Sequence, residues 1–305
     1  MATMTEVAAT VDRKTPYHDY HATASVLRGR LERPIEQEIE EQAALKLEDR
    51  RGGHLTRFSE EVSIEGLITF TKGKTRVSGS RSRKNNGWIT LSTSIIEGLN
   101  ALEVITADRV VSQVSTEHPH DDGHFPQVTF LGTQFTNLAV SGFPLQLTFN
   151  FGICGNRPAE NRSYLRDVTF LNAVKQQTQK IANAAGLPTE LKAVYLDKIT
   201  AIDELIRSKG DNEPSRPHEP KVTCSLIESI GKIPIPGVTS YGNLLVIPDF
   251  GTVTLGEIVV GEKNYEDSTK PGVYFELTGI NMQMGCVGDG NAQAANAKAN
   301  GTTRP

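Results

Sequence analysis

Leu145-Gln146-Leu147-Thr148-Phe149-Asn150-Phe151 carries the clearest secondary-structure signal in this sequence, because four apolar side chains alternate with three polar ones. Alternation with a period of two is typical of a β-strand that turns one face towards a hydrophobic core. The turn-forming residues Ser141-Gly142-Phe143-Pro144 and the apolar run 138–140 precede this stretch. The sequence therefore predicts a β-hairpin over residues 138–151.

Half-buried runs of the same kind lie on both sides of this stretch, and Asn86-Gly87 before Trp88 is a strong tight-turn signal. Residues 34–51 fit a helix by composition and a strand by alternation, and we interpret them as extended. About ten short strands separated by turns predict a mainly β fold, a sandwich-like antiparallel β domain. The other runs lie at 20–31, 62–71, 88–91, 110–114, 128–131, 222–227, 244–247, 252–260 and 273–284.

One segment, residues 163–210, departs from the strand pattern. From Ser163, apolar side chains recur at near-helical spacing up to Gly186. Pro188-Thr189 opens a second such run, which ends at Gly210. The short link between the two runs predicts an antiparallel α-helical hairpin inserted into the β domain.

Both ends of the sequence are polar and lack a periodic apolar pattern. Residues 1–16 show no strand or helix spacing, and residues 288–305 are rich in Ala, Asn and Gly. Such composition is typical of disorder, so we expect a disordered N-terminal arm and a disordered C-terminal tail. Between them we expect a single β domain over residues 17–287, interrupted by the helical hairpin.

The overall charge and hydropathy argue against two classes of partner, nucleic acid and membrane. A net charge of −4 gives the chain no global attraction to nucleic acid or anionic lipid. The first residues do not form a signal peptide, and no apolar run reaches the roughly eighteen residues of a membrane span. We therefore expect a cytoplasmic protein without membrane or nucleic-acid partners.

The three cysteines, Cys154, Cys224 and Cys286, are far apart and show no metal-binding spacing. An odd number of widely spaced cysteines argues against a disulfide framework. We expect Cys224 and Cys286, which lie in strand-like runs, to be buried as small apolar side chains.

The densest polar cluster is the segment 117–124, which holds three of the seven histidines. Histidine and carboxylate ligands two to four residues apart on a loop can converge on one divalent cation, which could then activate water. We predict that the ligands of such a metal are His118, His120, Asp121 and His124. The alternative interpretation is a polar loop between two strands, in which Pro119 and Gly123 form turns.

Two charged runs of opposite sign lie near each other in the sequence. A basic run occupies residues 72–84, and an acidic run occupies residues 32–41. The basic run has no interleaved aromatic side chain for nucleic-acid stacking, so we interpret it as a solvated flank of a hairpin. If both runs lie on exposed strands they could pair between subunits, and the alternative is an ordinary solubilising surface.

The segment 92–109 is rich in hydroxyl and carboxylate side chains, but it contains no nucleophile elbow and no recognisable triad order. We therefore predict no catalytic residue and no cofactor-binding residue there. We expect Asn100, Thr106 and Asp108 to bond backbone groups at strand ends.

A set of motifs spread over the chain outside the helical segment resembles a known family. Its members here are Ser94-Ile95-Ile96-Glu97-Gly98-Leu99-Asn100, residues 104–111, Glu117-His118-Pro119, residues 131–138, Gly142, Pro144, Cys224-Ser225-Leu226, residues 248–253 and Leu255-Gly256-Glu257. The set resembles a family of uncharacterised bacterial all-β proteins and is similar in part to secreted proteins of the choice-of-anchor type. The resemblance implies one continuous β domain with inserted helices, and it implies no activity.

Together these observations predict a non-enzymatic structural or interaction protein. We expect it to form a homo-oligomer through β edges and the helical insertion, which could also bind protein partners. A first alternative is a divalent-metal-binding protein or metal-dependent hydrolase that uses residues 117–124. A second alternative is a carbohydrate-binding β module, for which the candidate exposed aromatic residues are Trp88, Tyr241, Tyr265 and Tyr274.

Overall fold

A computed structural model describes residues 17–32, 36–83, 86–120, 125–159, 162–208, 219–263, 272–285 and 290–304. The predicted N-terminal arm, residues 1–16, lies outside this range. The strands are β1 (Tyr17–Leu31), β2 (Gln37–Ile39), β3 (Leu45–Asp49), β4 (Gly53–Ser59), β5 (Val62–Ile64), β6 (Ile68–Phe70), β7 (Lys72–Arg81), β8 (Trp88–Ala101), β9 (Ile105–His118), β10 (Gln127–Thr129), β11 (Gln134–Thr136), β12 (Ala139–Val140), β13 (Phe143–Pro144), β14 (Leu147–Phe149), β15 (Lys221–Ser225), β16 (Ile227–Ile230), β17 (Thr239–Tyr241), β18 (Leu244–Ile247), β19 (Gly251–Lys263), β20 (Gly272–Met284) and β21 (Gly290–Arg304). The helices are α1 (Val168–Ala182) and α2 (Thr189–Arg207), preceded by a 3₁₀ turn at Tyr164–Arg166.

Two antiparallel sheets face each other across the core. Sheet A has the strand order β17-β18-β19-β20-β21-β1-β2, with β15 beside β19 and β3 beside β1. Sheet B has the order β13-β12-β9-β8-β6-β5, with β10 and β11 beside β9, and β7 followed by β4 beside β8. Strand makes up 56% of the described residues and helix 15%, so the predicted mainly β, sandwich-like fold with a helical insertion is confirmed.

The hairpin predicted over residues 138–151 is shorter than expected. Strands β12 and β13 pair through the turn at Ser141 and Gly142, which both have positive φ angles. Strand β14 instead pairs with β16, which follows the helices, with Leu147 opposite Ile230. The alternating stretch is therefore divided between two strand pairs, because its second half finds a partner far away in the sequence.

The buried hydroxyl groups of β8 connect the two sheets. Ser92 and Ser94 donate hydrogen bonds from Oγ to the backbone carbonyl oxygens of Thr23 and Ser25 in β1, at 2.7 and 2.8 Å. Asn100, at the end of the same strand, accepts a hydrogen bond from the backbone N–H of Glu103 at 2.7 Å. The turn role expected for Asn100 is thus confirmed, and the serines satisfy backbone groups of the opposite sheet.

The core contains two large hydrophobic clusters, and the helical hairpin packs against the second of them. Asp167 caps α1, since its carboxylate accepts a hydrogen bond from the backbone N–H of Thr169 at 2.9 Å. An ion pair at 2.6 Å between Lys175 and Asp203 joins the helices. The side chains of α1 buried in this cluster are Phe170, Leu171 and Val174. Both helices lie inside the range predicted for the hairpin, residues 163–210.

The prediction of a disordered C-terminal tail is wrong for residues 290–304. These residues form β21, which pairs with β20 on one side and β1 on the other. The alanines of β21 face the core, and the polar residues between them bond to the neighbouring strands, as in the 3.0 Å hydrogen bond from Thr278 to Asn296. The core alanines are Ala292, Ala294, Ala295, Ala297 and Ala299. A tail of small residues is ordered here because both of its backbone edges are paired.

Replacing a core alanine of β21 with a larger side chain should destabilise the fold. Ala294 is fully buried, with Leu27 and Ile280 as its cross-strand neighbours. We expect Ala294→Leu to lower the free energy of unfolding by about 1–3 kcal/mol, because the well-packed core must deform to admit the new atoms. Urea denaturation followed by circular dichroism measures this change.

The matched control is Asn291→Leu, which adds a similar side chain at an exposed position of the same strand. We expect it to change the free energy of unfolding by less than about 0.5 kcal/mol. Equal effects of the two substitutions would contradict the placement of β21 in the core.

Candidate functional site

Strand β4 is an exposed sheet edge. In the part of the chain that the structure describes, β4 has a strand neighbour only on one side, β7. Six of its seven residues are exposed, and the seventh is half-buried. Its two large apolar side chains face water, with Leu55 41% and Phe58 64% exposed. An edge of this kind presents unpaired backbone groups and apolar surface together.

Natural proteins usually protect such edges with proline, bulges or charged side chains. Strand β4 contains no proline, and its register with β7 runs without a shift from Gly53 opposite Gly79 to Ser59 opposite Gly73. The charge of Arg57 is directed to the backbone, because its guanidinium donates to the carbonyl oxygen of Ala44 at 2.9 Å. Strand β4 therefore has no proline or bulge that would hinder pairing with another strand.

Two apolar side chains of the helical insertion are partly exposed. Val194 and Leu196 of α2 are 50% and 45% exposed. They flank the buried residues Tyr195, Ile202 and Leu205 on opposite edges of the helix, because residues two positions apart lie about 200° apart around its axis. They therefore do not form one continuous apolar surface.

The acidic run of the sequence is partly neutralised within the chain. Glu36 pairs with Arg30, and Glu41 lies 3.4 Å from a guanidinium nitrogen of Arg28. The basic run forms β7, where the ammonium group of Lys74 lies 5.2 Å from the centre of the Phe58 ring. Pairing of the two runs between subunits stays a prediction, and the acidic run has fewer charges left for it.

His118, the first predicted metal ligand, is buried at the end of β9. Its ring centre lies 4.6 Å from that of His18 in β1, and His18 in turn stacks on Trp88 at 5.3 Å. Burial lowers the pKa of His118 to about 3, although a hydrogen bond with the backbone of Gly301 raises it. Burial also lowers the pKa of His18, and the nearby His118 and His21 lower it further. His18 and His118, which form a histidine cluster with Trp88, are therefore both neutral at physiological pH.

Of the other predicted metal ligands, the structure describes only His120. His120 stacks on Trp88, with the ring centres 5.6 Å apart, while Asp121 and His124 lie outside the described residues. Within the described ranges, no group of three histidine, cysteine or acidic side chains is placed to hold a metal ion. Metal binding at this loop stays a prediction.

The prediction of exposed aromatic residues for carbohydrate binding is wrong for two of the four candidates. Trp88 is buried in the histidine cluster, and Tyr241 is buried with its hydroxyl group donating to the carbonyl oxygen of Gly186 at 2.7 Å. Tyr274 is half-buried beneath Lys298, whose ammonium group lies 3.8 Å from the ring centre. Tyr265 lies outside the described residues.

Cys154 and Cys224 lie together in the second hydrophobic cluster, although they are 70 positions apart in the sequence. A hydrogen bond with the Cys224 thiol, and then burial, raise the pKa of Cys154. A thiol with a raised pKa is a poor nucleophile, so Cys154 has a packing role in this cluster. The expected burial of Cys224 is confirmed, and Cys286 lies outside the described residues.

Comparisons with known proteins identify a family but no activity. A family model described as a domain of unknown function, DUF8256, matches residues 18–261, which is more than half of the chain. No curated protein and no solved structure matches. Similarity to choice-of-anchor proteins therefore stays a prediction. Neither helix in the described residues combines the length and apolar character required to cross a membrane.

The buried histidine cluster should make the fold sensitive to mild acid. Histidine in the unfolded chain has a pKa near 6.5, whereas the folded value for His118 is about 3. The stabilisation is therefore complete above pH 6.5 and is lost as the pH falls from 6.5 towards 3. Each such histidine should remove about 1.4 kcal/mol per pH unit in this window. Chemical denaturation between pH 7 and 5 tests this slope.

Replacing His118→Phe should reduce the slope, because one fewer proton is taken up on unfolding. The control Leu131→Phe adds the same side chain at a position that is 76% exposed and removes no titratable group, so it should keep the wild-type slope. A slope unchanged by His118→Phe would contradict the contribution of His118.

Proposed function

We propose that this chain, which belongs to the DUF8256 family, is a non-enzymatic structural protein that self-associates by pairing β4 with β4 of a second copy. The observation that carries the proposal is the seven-residue edge, in which six residues are exposed and the apolar side chains of Leu55 and Phe58 face water. Adding a strand to such an edge satisfies backbone groups and covers apolar surface at once.

The sequence of β4 is compatible with two-fold antiparallel pairing. Thr56 is its central residue, so an axis through Thr56 sets His54 opposite Phe58 of the partner subunit. The same axis sets Leu55 opposite Arg57 of the partner subunit. No two like charges face each other directly, and the outer face gains two aromatic cross-strand pairs. A symmetric interface of this type closes as a dimer.

The expected association is weak unless a second surface contributes. Fully burying a phenylalanine side chain stabilises a complex by about 1.5–3 kcal/mol, whereas association costs about 4–15 kcal/mol in lost translational and rotational freedom. We propose that the exposed side chain of Val194 on α2 supplies additional contacts, either in the same dimer or in a larger assembly. Assembly should therefore depend on protein concentration.

The metal-binding and carbohydrate-binding hypotheses stay as alternatives to this proposal. Among the described residues, no ligand set and no exposed platform of the predicted aromatic residues favours either one.

Self-association should be lost when the edge of β4 becomes charged. We expect Phe58→Lys to weaken dimerisation by at least about tenfold, or 1.4 kcal/mol, because a lysine at the edge opposes strand pairing. Sedimentation velocity over a hundredfold range of protein concentration measures the dissociation constant. Thermal unfolding of the variant would show that the monomer remains folded.

The matched control is Leu131→Lys, which adds the same charge at a side chain 76% exposed and outside β4. It should leave the dissociation constant unchanged. Salt distinguishes two interfaces, since β4 pairing should persist in high salt while pairing of the charged runs should weaken. A wild-type chain that stays monomeric at the highest concentration in low salt would contradict the proposal.

A further inference from the structure

Two buried cysteines lie on either side of the helical insertion in the sequence. Cys154 is in the turn that follows β14, and Cys224 is in β15, the first strand after the helices. Both α1 and α2 lie between them in the chain, yet the two thiols are in contact in the fold. A bond between the two sulfur atoms would therefore close a loop around the whole insertion.

The contact between the two thiols is set by the neighbouring backbone. The backbone N–H of Asn150 donates to the carbonyl oxygen of Leu226 at 2.7 Å, which holds the chain before Cys154 beside the end of β15. Cys224 is held from the other side, since it lies opposite Ile258 of β19 in sheet A. The thiols of Cys154 and Cys224 form a hydrogen bond with each other. The folded chain therefore brings the pair together before any bond forms between the sulfur atoms.

The two cysteines are held by backbone of different kinds. Both are free thiols in this structure, and a disulfide requires the sulfur atoms to approach to about 2.05 Å. Cys224 is fixed by the pairing of β15 with β19, whereas Cys154 lies in a turn. Turns adjust more readily than paired strands, so the turn can supply the small movement that the bond requires.

The residue next to Cys224 already anchors the first helix. Gln177 of α1 donates from Nε2 to the carbonyl oxygen of Ser225 at 3.0 Å, and its Oε1 accepts from the backbone N–H of Ser225 at 2.8 Å. A disulfide would add a covalent bond from the turn before the insertion to the same strand. The beginning of the insertion would thus be tied to the strand that follows its end.

We propose that Cys154 and Cys224 are an oxidisable pair that forms one intramolecular disulfide and so holds the helical insertion on sheet A. The oxidant is a low-molecular-weight disulfide such as oxidised glutathione. One protein thiolate attacks a sulfur atom of the oxidant to form a mixed disulfide, and the second protein thiolate then displaces the remaining half. One S–S bond forms in the protein, the S–S bond of the oxidant breaks, and the two protons of the protein thiols end on the two thiols released.

The reaction should be slow in the folded chain and fast during folding. Cys154 and Cys224 are only 4% and 5% exposed, so the oxidant has little access to them in the folded state. The hydrogen bond with Cys224, and then burial, raise the pKa of Cys154, which leaves little of its thiolate at neutral pH. We therefore expect the bond to form while the chain folds, before the hydrophobic cluster closes over the thiols.

The first test refolds the full chain from urea in a buffer of reduced and oxidised glutathione and maps its peptides without reductant. Lysine and arginine residues separate the three cysteines, so trypsin leaves each one in a different peptide. We expect one linked pair, Cys154 with Cys224, and no link to Cys286. A link to Cys286, free thiols, or cysteines that carry only glutathione would each contradict the proposal.

The second test measures how strongly folding and the disulfide favour each other. Folding keeps the two thiols in contact, so the equilibrium constant of the exchange with glutathione should be at least about tenfold larger in buffer than in concentrated urea. The oxidised chain should unfold at a temperature roughly 5–10 °C above that of the reduced chain, because the closed loop restricts the unfolded state. Equal equilibrium constants with and without urea would overturn the proposal.

Substitutions identify the cysteines that cause the shift in unfolding temperature. Cys154→Ala and Cys224→Ala should each abolish it, and the matched control Cys286→Ala should keep it in full. A shift that persists in Cys154→Ala, or that is lost in Cys286→Ala, would contradict the proposal. The peptide map of the wild-type chain decides the pairing even where a variant does not fold.

The disulfide goes beyond self-association and does not depend on it, because neither cysteine belongs to β4. The variant Phe58→Lys should therefore form the same disulfide as the wild-type chain. Failure of either proposal leaves the other standing.

Discussion

The close approach of the two sheets at β21 is the constraint on which the rest of the fold depends. Strand β21 lies between β20 and β1, and its alanines reach both hydrophobic clusters, with Ala294 in the first and Ala297 in the second. Gly279 in the neighbouring strand continues this thin layer, since a Cβ atom there would lie 2.8 Å from Ser112 Oγ of sheet B. Larger side chains at these positions would separate the sheets.

That close approach also explains the polar groups of the interior. Ser92 and Ser94 reach the backbone of β1 only because the sheets lie near each other, and their hydrogen bonds offset the cost of burying hydroxyl groups. At another part of the interface, His18, Trp88 and His118 pack as neutral rings. Side chains that resemble catalytic residues in the sequence therefore stabilise contact between the sheets.

Surfaces rather than buried polar groups are thus the places where function is expected. Sheet B continues past β7 to β4, which leaves an apolar edge in water. The helical hairpin closes over the second hydrophobic cluster.

The sequence by itself determined the mainly β class and the place of the helical hairpin, because periods of 2 and 3.6 residues are local properties of the chain. It did not reveal β21, since alanine has low β propensity and the alternation shifts by one residue at Ala295, where φ is +56°. The exposure of Phe58, the burial of Trp88 and the meeting of Cys154 with Cys224 were decided only by the tertiary structure. Each depends on which distant strand lies alongside, and a local pattern specifies the face of a strand without specifying its neighbour.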